Sequence, residues 1–309
     1  MAVSVALPTR HVLGEGPAWS ARDGALTLVD IPARQVLRWR PGQAAQSWTM
    51  PEPVSAAIPR RAGGLVVTLA SRVALLDPDD AAAWAAPGNA PGHGPGDAPA
   101  RVTTLAVPDP DPGNRANEAR CDAAGRLWLG TMWNNILPDG THVAVTASTG
   151  GLFRIDADGT TSRHGAGIGI PNTLCWTPDN ATLYFADTLR NRIDAYPFDP
   201  LSGTLGAPRP FVEGGPGAPD GSAIDHDGFV WTARWGAACL LRYAPDGRVD
   251  RTIALPAAQP TSCAFAGPGS RTLFVTTARV GLDAPGDADG AVLAVDAGID
   301  GPPCHEFAG

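Results

Sequence analysis

The chain has 309 residues, of which 17% are charged, and its net charge is −8 at pH 7. Its basic residues are Arg and a few His, and no run of them interrupts the acidic balance. Such a chain is a poor match for nucleic acid and for anionic membrane surfaces, which attract clustered positive charge. No apolar stretch approaches the length that spans a bilayer. We therefore expect no nucleic-acid or membrane partner.

The five cysteines are widely spaced and odd in number, and no CxxC pair occurs. This pattern argues against a disulfide framework and against a zinc ribbon. It favours buried, reduced thiols. The first residues lack a basic segment followed by a long apolar one, which is the pattern of a secretion signal. From these features we expect a cytoplasmic protein.

A repeated pattern runs along the chain: an Asp, Gly or Asn turn, a short apolar strand, a polar link and a second strand. Short strands rich in β-branched and aromatic residues between such turns are typical of an all-β fold. We find almost no helical periodicity. Six copies begin at Asp23, Gly63, Gly125 (continued from Gly150), Asp179, Asp227 and Ser270 (continued from Gly290).

Six repeats of roughly forty to sixty residues, each able to supply a four-stranded sheet, predict a six-bladed β-propeller. A β-sandwich and another β-solenoid are the alternatives, and the copy number argues against them. We expect one propeller domain over 1–309. Within the third repeat, a Pro/Gly-rich loop insertion at about 87–114 is a surface loop or a lid over the propeller mouth. A second insertion spans 134–149.

Residues at the same phase of each repeat should face the central axis of a propeller. Eight or nine residues before four of the turn anchors lie Glu15, Asn117, Asn172 and Asp220. One such residue could simply make a turn, but four oxygen-bearing side chains in phase indicate a site. Carboxylate and amide oxygens without His or Cys suit hard divalent cations. The sequence therefore predicts a metal centre on the axis.

Other sequence patterns do not support a nucleotide-binding, serine-hydrolase or zinc-hydrolase site. The glycine-rich stretch ending at Asn172, GAGIGIPN, lacks the following helix of a nucleotide-binding loop. The chain has no GxSxG elbow for a serine hydrolase. Its six histidines show no HxH or HExxH spacing for a zinc hydrolase.

The segments GEGPAW, RANEARCDAAGRLWLGTM, PNTLCWTPDNATLYFADT and PDGSAIDHDGFVWTARW resemble the gluconolactonase/regucalcin-like family, in the right order over essentially the whole chain. It is similar above all to bacterial aldonolactonases. The resemblance implies Glu15, Asn172 and Asp220 as metal ligands, with Arg115 and Asn117 contacting substrate hydroxyls.

This chain departs from the family at two places. Glu118 stands where the family usually has Asp, which leaves its role open. After GTM, some members place a substrate-binding Glu, and here Trp133, Asn134 or Asn135 would have to serve. We take Asn134 as the candidate.

The resemblance predicts metal-dependent hydrolysis of a sugar lactone, with Asp220 also acting as base toward water. Because a carboxylate on a cation is a weak base, attack by hydroxide on the cation is the alternative. The residues leave open Ca, Zn, Mn, Mg or Fe as the single cation. A phosphotriesterase and a non-catalytic calcium-binding propeller are the other functions compatible with this fold.

Overall fold

The computed structural model describes residues 1–78 and 100–309. In these ranges the chain forms β-strands in six antiparallel sheets and two single-turn 3₁₀ helices, Thr188–Arg190 and Pro268–Ser270. No helix in the described ranges is long and apolar enough to cross a membrane. The six sheets confirm the predicted all-β, six-bladed β-propeller.

The first half of the chain supplies three blades, preceded by one strand that belongs to a later blade. β1 (Val3–Leu7) comes first, and its partner is described below. Blade 1 contains β2 (Gly14–Ser20), β3 (Ala25–Asp30), β4 (Gln35–Trp39) and β5 (Gln46–Thr49). Blade 2 contains β6 (Val54–Pro59), β7 (Leu65–Leu69), β8 (Val73–Pro78) and β9 (Ala100–Ala106). Blade 3 contains β10 (Asn114–Cys121), β11 (Leu127–Trp133), β12 (Gly150–Ile155) and β13 (Thr161–Ile168).

The second half supplies the other three blades. Blade 4 contains β14 (Pro171–Trp176), β15 (Thr182–Asp187), β16 (Arg192–Asp199), β17 (Thr204–Leu205) and β18 (Arg209–Glu213), with β17 and β18 both paired to β16. Blade 5 contains β19 (Ala218–Ile224), β20 (Val230–Trp235), β21 (Cys239–Tyr243) and β22 (Val249–Ala254). Blade 6 contains β23 (Pro260–Ala266), β24 (Thr272–Thr277) and β25 (Val292–Asp296).

The blades form a closed ring. The innermost strands are β2, β6, β10, β14, β19 and β23, and each packs against the innermost strands of both neighbouring blades. β1 pairs with β25 in an antiparallel register, so the N-terminal strand completes blade 6 as its outermost strand. The sequence repeats, counted from Asp23, did not include this strand. Hydrogen bonding between the two ends of the propeller removes a sheet edge and closes the ring.

Aspartate-capped turns explain why the repeats fold alike. The buried Asp122 accepts backbone hydrogen bonds from Ala124 and Arg126, and its other oxygen accepts the indole N–H of Trp128. Asp225 makes the same set of bonds in blade 5, with the indole of Trp231. Each turn therefore fixes the following strand and a large buried aromatic side chain with one carboxylate.

The predicted insertion at 87–114 lies partly outside the described residues, which resume at residue 100. In its described part, Ala100–Ala106 is β9, and it pairs along the full length of β8 as the outer strand of blade 2. That stretch is therefore strand, not loop. Its side chains are exposed or half-buried, because an outer blade strand has no neighbour on one edge, and the sequence consequently shows little apolar pattern.

The far end of the central channel is closed by the C-terminal segment. Phe307 is fully buried against Ile58 and Cys121, among other residues, and pairs with Arg60 through a parallel bridge. Beside it lies a cavity of about 90 Å³, lined by the exit ends of all six innermost strands and by residues 302–305. The five cysteines are free thiols. The innermost strands begin at the opposite end of the channel.

Candidate metal centre and sugar-binding residues

Each innermost strand has a break in its register near its entry end. The breaks fall between Glu15 and Ala18, Ala116 and Ala119, Asn172 and Cys175, and Pro219 and Ser222, with shorter ones in β6 and β23. Glu15 and Asn172 are the last paired residues before the break, whereas Asn117 and Asp220 are the first residues inside it.

Hydrogen bonds between blades hold these entry ends together. Thr173 donates its hydroxyl to the carbonyl of Asp220 at 2.6 Å, and Thr261 donates to the carbonyl of Gly14 at 2.5 Å. Gly221 lies so near blade 6 that a Cβ there would be 2.0 Å from Oγ of Ser262. Only glycine fits beside Asp220 for this reason. The predicted ligands are thus fixed by backbone contacts across blade boundaries.

Three carboxyl groups meet at this end of the channel. Burial, followed by the negative charge of Glu118, raises the pKa of Glu15 to about 8. Burial, followed by the charges of Glu15 and Glu118, raises the pKa of Asp220 well above its ordinary range. Like charges in a site of low dielectric disfavour ionisation. The cluster is therefore strained when all three groups are ionised and no cation is present.

Asn172 completes the predicted donor set. Its side chain is buried, and Nδ2 donates to the hydroxyl of Thr188 at 2.9 Å. Thr188 in turn donates to the carbonyl of Pro219 at 2.7 Å, which couples Asn172 to the strand carrying Asp220. Since Nδ2 is engaged, the amide oxygen is the atom left for a cation.

These residues fit a divalent cation. Two buried carboxylates that repel each other, with an oriented amide oxygen, are hard oxygen donors of the kind that Ca²⁺, Mg²⁺ and Mn²⁺ bind. Within 1–78 and 100–309, no group of three or more His, Cys, Asp or Glu side chains has the spacing of a metal site. A cation here would therefore depend on the amide oxygen of Asn172 besides the carboxylates of Glu15 and Asp220.

The structure brings Arg115 and Asn117 together, as the resemblance implies. Nη1 of Arg115 donates to Oδ1 of Asn117 at 2.8 Å and to the carbonyl of Ala116 at 2.9 Å. Nδ2 of Asn117 donates to the carbonyl of Pro171 at 2.9 Å, which anchors the pair to blade 4. Burial lowers the pKa of Arg115 to about 10, against the opposing effect of Glu15. Arg115 remains charged at neutral pH, close to the carboxyl cluster.

Asn135, rather than Asn134, contacts Arg115. Oδ1 of Asn135 accepts hydrogen bonds from Nε and Nη2 of Arg115 at 3.1 and 2.9 Å. Oδ1 of Asn134 instead accepts the backbone N–H of Ile136 at 3.1 Å. The three candidates after GTM were equivalent in the sequence, because only the path of the loop decides which side chain turns toward Arg115.

Glu118 and Arg120 are site residues whose roles the sequence left open or missed. Oε1 of Glu118 lies 3.5 Å from Nε of Arg120, and both side chains are largely buried. Arg120 also donates to the carbonyl of Pro17 at 2.5 Å and to Oγ of Ser262 at 3.2 Å, so it bridges blades 1, 3 and 6 across the channel. The alternation within RANEAR was the available signal, since 118 and 120 share one face of β10.

Comparison with known proteins agrees with the fold and identifies related chains. The family model described as the SMP-30/gluconolactonase/LRE-like region matches residues 13–279. Regucalcin of Xenopus laevis is 32% identical over 88% of this chain and 85% of its own length. L-arabinolactonase of Azospirillum brasilense is 33% identical over 91% of this chain and 86% of its own length.

Among solved structures, a calcium-binding regucalcin from Agrobacterium tumefaciens superimposes with a TM-score of 0.83. It is 28% identical and covers 99% of this chain and 97% of its own.

Proposed function

Because the chain belongs to the SMP-30/gluconolactonase/LRE-like family, we propose that it hydrolyses a sugar lactone to the aldonic acid with one divalent cation. The observation that carries this proposal is the position of the Arg115–Asn117 pair beside Glu15, whose carboxyl interacts in turn with the buried carboxyl of Asp220. The relative named L-arabinolactonase favours an aldonolactone as substrate.

In this proposal one set of residues binds the cation and another set binds the sugar. Glu15, Asn172 and Asp220 would hold the cation, and the two carboxylates would balance its formal charge while their hard oxygen donors leave it electrophilic. When bound, such a cation supplies Lewis-acid stabilisation of the charge that develops on the lactone carbonyl oxygen. Arg115 has one N–H of Nη2 left after its bonds to Asn135, Asn117 and Ala116. That group and the second N–H of Asn117 orient the sugar hydroxyls.

Asp220 accepts the proton of the attacking water in this proposal. Coordination lowers the basicity of a carboxylate, whereas burial and the neighbouring charges of Glu15 and Glu118 raise its pKa. The second effect makes Asp220 a better base than its role as a ligand would allow. Asn134 stays a candidate for substrate binding through its place on the loop beside Asn135.

A panel of aldonolactones assayed by acid release tests the proposal. Protein stripped with a chelator is assayed alone and after return of Ca²⁺, Mg²⁺, Mn²⁺, Zn²⁺ or Fe²⁺. We expect hydrolysis that depends on the cation and falls about a hundredfold or more in Asp220→Asn. Asp246→Asn, at an exposed turn where Asp246 pairs with Arg248, is the matched control and should keep wild-type rates. Cation binding without hydrolysis of any lactone would favour the non-catalytic calcium-binding alternative.

A further inference from the structure

The loop 134–149 lies across the mouth of the propeller. It connects β11 to β12 in blade 3, yet its Ile136 is 7% exposed and belongs to one apolar cluster with Leu13 of blade 1 and Ala278 of blade 6. Trp235 of blade 5 packs at the margin of the same cluster. Leu13 directly precedes the innermost strand β2, and Ala278 directly follows β24, so this cluster lies at the entry end of the channel.

His142 lies on the returning arm of this loop. A turn through Leu137, Gly140 and Thr141 folds the loop back, and an antiparallel bridge then sets His142 beside Ile136. The anchored Ile136 therefore fixes where the imidazole stands. Because the opposite arm carries Asn135, the partner of Arg115, both arms border the proposed sugar site.

The charges around His142 come from blades that are not neighbours. Burial, followed by the positive charge of Arg115 of blade 3, lowers the pKa of His142 to about 4, against the opposing negative charge of Asp30 of blade 1. The two oxygens of Asp30 already accept the backbone N–H groups of Val12 and Leu13. The imidazole is thus neutral near pH 7 and stands between blades 1 and 3.

Nε2 of His142 is buried and lacks a hydrogen-bond partner among the described residues. A neutral imidazole offers one donor and one acceptor, and a buried polar atom left unpaired is costly. His11 also has an unpaired Nε2, but its ring packs behind Gly14 and beside Thr9 in blade 1. Of the histidines in the described ranges, His142 alone combines the unpaired nitrogen with a place on the loop 134–149 next to Arg115.

We propose that His142, on the loop 134–149 beside Arg115, binds a hydroxyl of the sugar lactone and so helps to select polyhydroxylated substrates. This inference rests on the proposed lactonase function. Arg115 and Asn117 would contact other hydroxyls of the same sugar. The three side chains together would fix the position of the ring relative to the carboxyl cluster.

The test uses His142→Phe, which keeps a ring but loses both polar atoms, and His142→Gln, which keeps a donor and an acceptor. We expect the KM for an aldonolactone to rise about tenfold in the Phe variant, with kcat changed much less, because a ground-state hydroxyl contact is lost. Binding of a pentitol, a polyol that cannot be hydrolysed, should weaken by a similar factor in calorimetry on the metal-loaded protein. The Gln variant should recover part of both losses.

The same substitutions at His226, which pairs with Asp300 on an exposed turn, are the matched controls and should leave both values unchanged. Unchanged pentitol affinity in His142→Phe overturns the inference, as does an equal fall in kcat without a rise in KM. Pentitol binding that depends on His142, in a protein that hydrolyses no lactone, would support His142 while rejecting the lactonase proposal. The two hypotheses therefore fail separately.

Discussion

Arg115 and Asn117 are hydrogen-bonded to each other, with 2.8 Å between Nη1 and Oδ1. The bond orients both side chains before any substrate arrives, since Asn117 is also tied to Pro171 of the next blade. A preorganised donor pair loses little conformational freedom when it binds a polyol.

Arg115→Lys should lower kcat/KM for the lactone by about 10- to 100-fold. An ammonium group cannot make the forked bonds to Asn135 and Asn117 at once, and hydrogen bonds to a charged group are worth roughly 1.5–3 kcal/mol. Steady-state kinetics on the metal-loaded enzyme measure the change. Arg163→Lys is the control, because Arg163 is an exposed residue of β13 that donates to Gly165. Equal kinetics for the two variants would contradict a substrate role for Arg115.

Asn135→Ala should raise the KM several-fold, because Arg115 loses the oxygen that accepts from both Nε and Nη2. Asn134→Ala is the comparison, since Asn134 caps only the backbone of Ile136. Measuring both KM values ranks the two residues. A larger effect at Asn134 would restore the assignment made from sequence and count against the orienting role of Asn135.

The sequence predicted the blades because their turns are chemically explicit. An aspartate such as Asp122 or Asp225, with glycine three residues later and tryptophan six residues later, marks the same turn in different repeats. β1 and β9 escaped prediction for different reasons. β1 precedes the first repeat and completes blade 6 from the other end of the chain, so the repeat count could not include it. β9 is an outermost strand whose side chains are exposed or half-buried, so it lacks the apolar run that marks a buried strand.

The site residues also fall into two groups, those that the sequence could predict and those that it could not. The phase of Glu15, Asn172 and Asp220 could be counted, because the repeat itself brings these positions to the axis. The contacts of Asn135 with Arg115 and of Glu118 with Arg120 could not. They depend on the path of the loop 134–149 and on the long side chain of Arg120, which bridges several blades. Neither of these follows from the period of the repeat.

Glu15→Gln should stabilise the metal-free protein while weakening its response to the cation. In the absence of metal, Glu15, Glu118 and Asp220 repel one another in a buried site, and the amide removes one charge. A change of about 1 kcal/mol shifts the Tm of a domain near this size by roughly 2–4 °C. Calorimetric unfolding with chelator should therefore show a higher Tm for Glu15→Gln than for wild type at pH 8 or above.

With saturating cation the order should reverse, because wild type gains more stabilisation from the ligand that it binds better. Glu213→Gln, an exposed residue paired with Arg192, should leave the metal-free Tm and the response to cation nearly unchanged. A metal-free Glu15→Gln protein less stable than wild type would show that the carboxylate is stabilising in its own right, and the proposed repulsion would be wrong.

The stability of the metal-free protein should fall as the pH rises from about 4.5 to about 8. Burial and Glu118 raise the pKa of Glu15 from 4.5 to about 8 in the folded protein, so between these values the folded state holds a proton that the unfolded state has released. Stability then decreases with pH, by up to about 1.4 kcal/mol per unit for one proton. Denaturant unfolding with chelator present, at a series of pH values, measures the slope.

The same proton must leave when a cation binds. At pH 7 binding should therefore release protons, and the affinity should rise with pH until Glu15 ionises freely near pH 8. Calorimetry in two buffers with different ionisation enthalpies counts the protons released. Glu15→Gln should release fewer than wild type, while Glu213→Gln should match wild type. If the binding enthalpy does not depend on the buffer, no proton is released when the cation binds. Glu15 and Asp220 would then already be ionised in the metal-free protein, which would contradict the raised pKa of the carboxyl cluster.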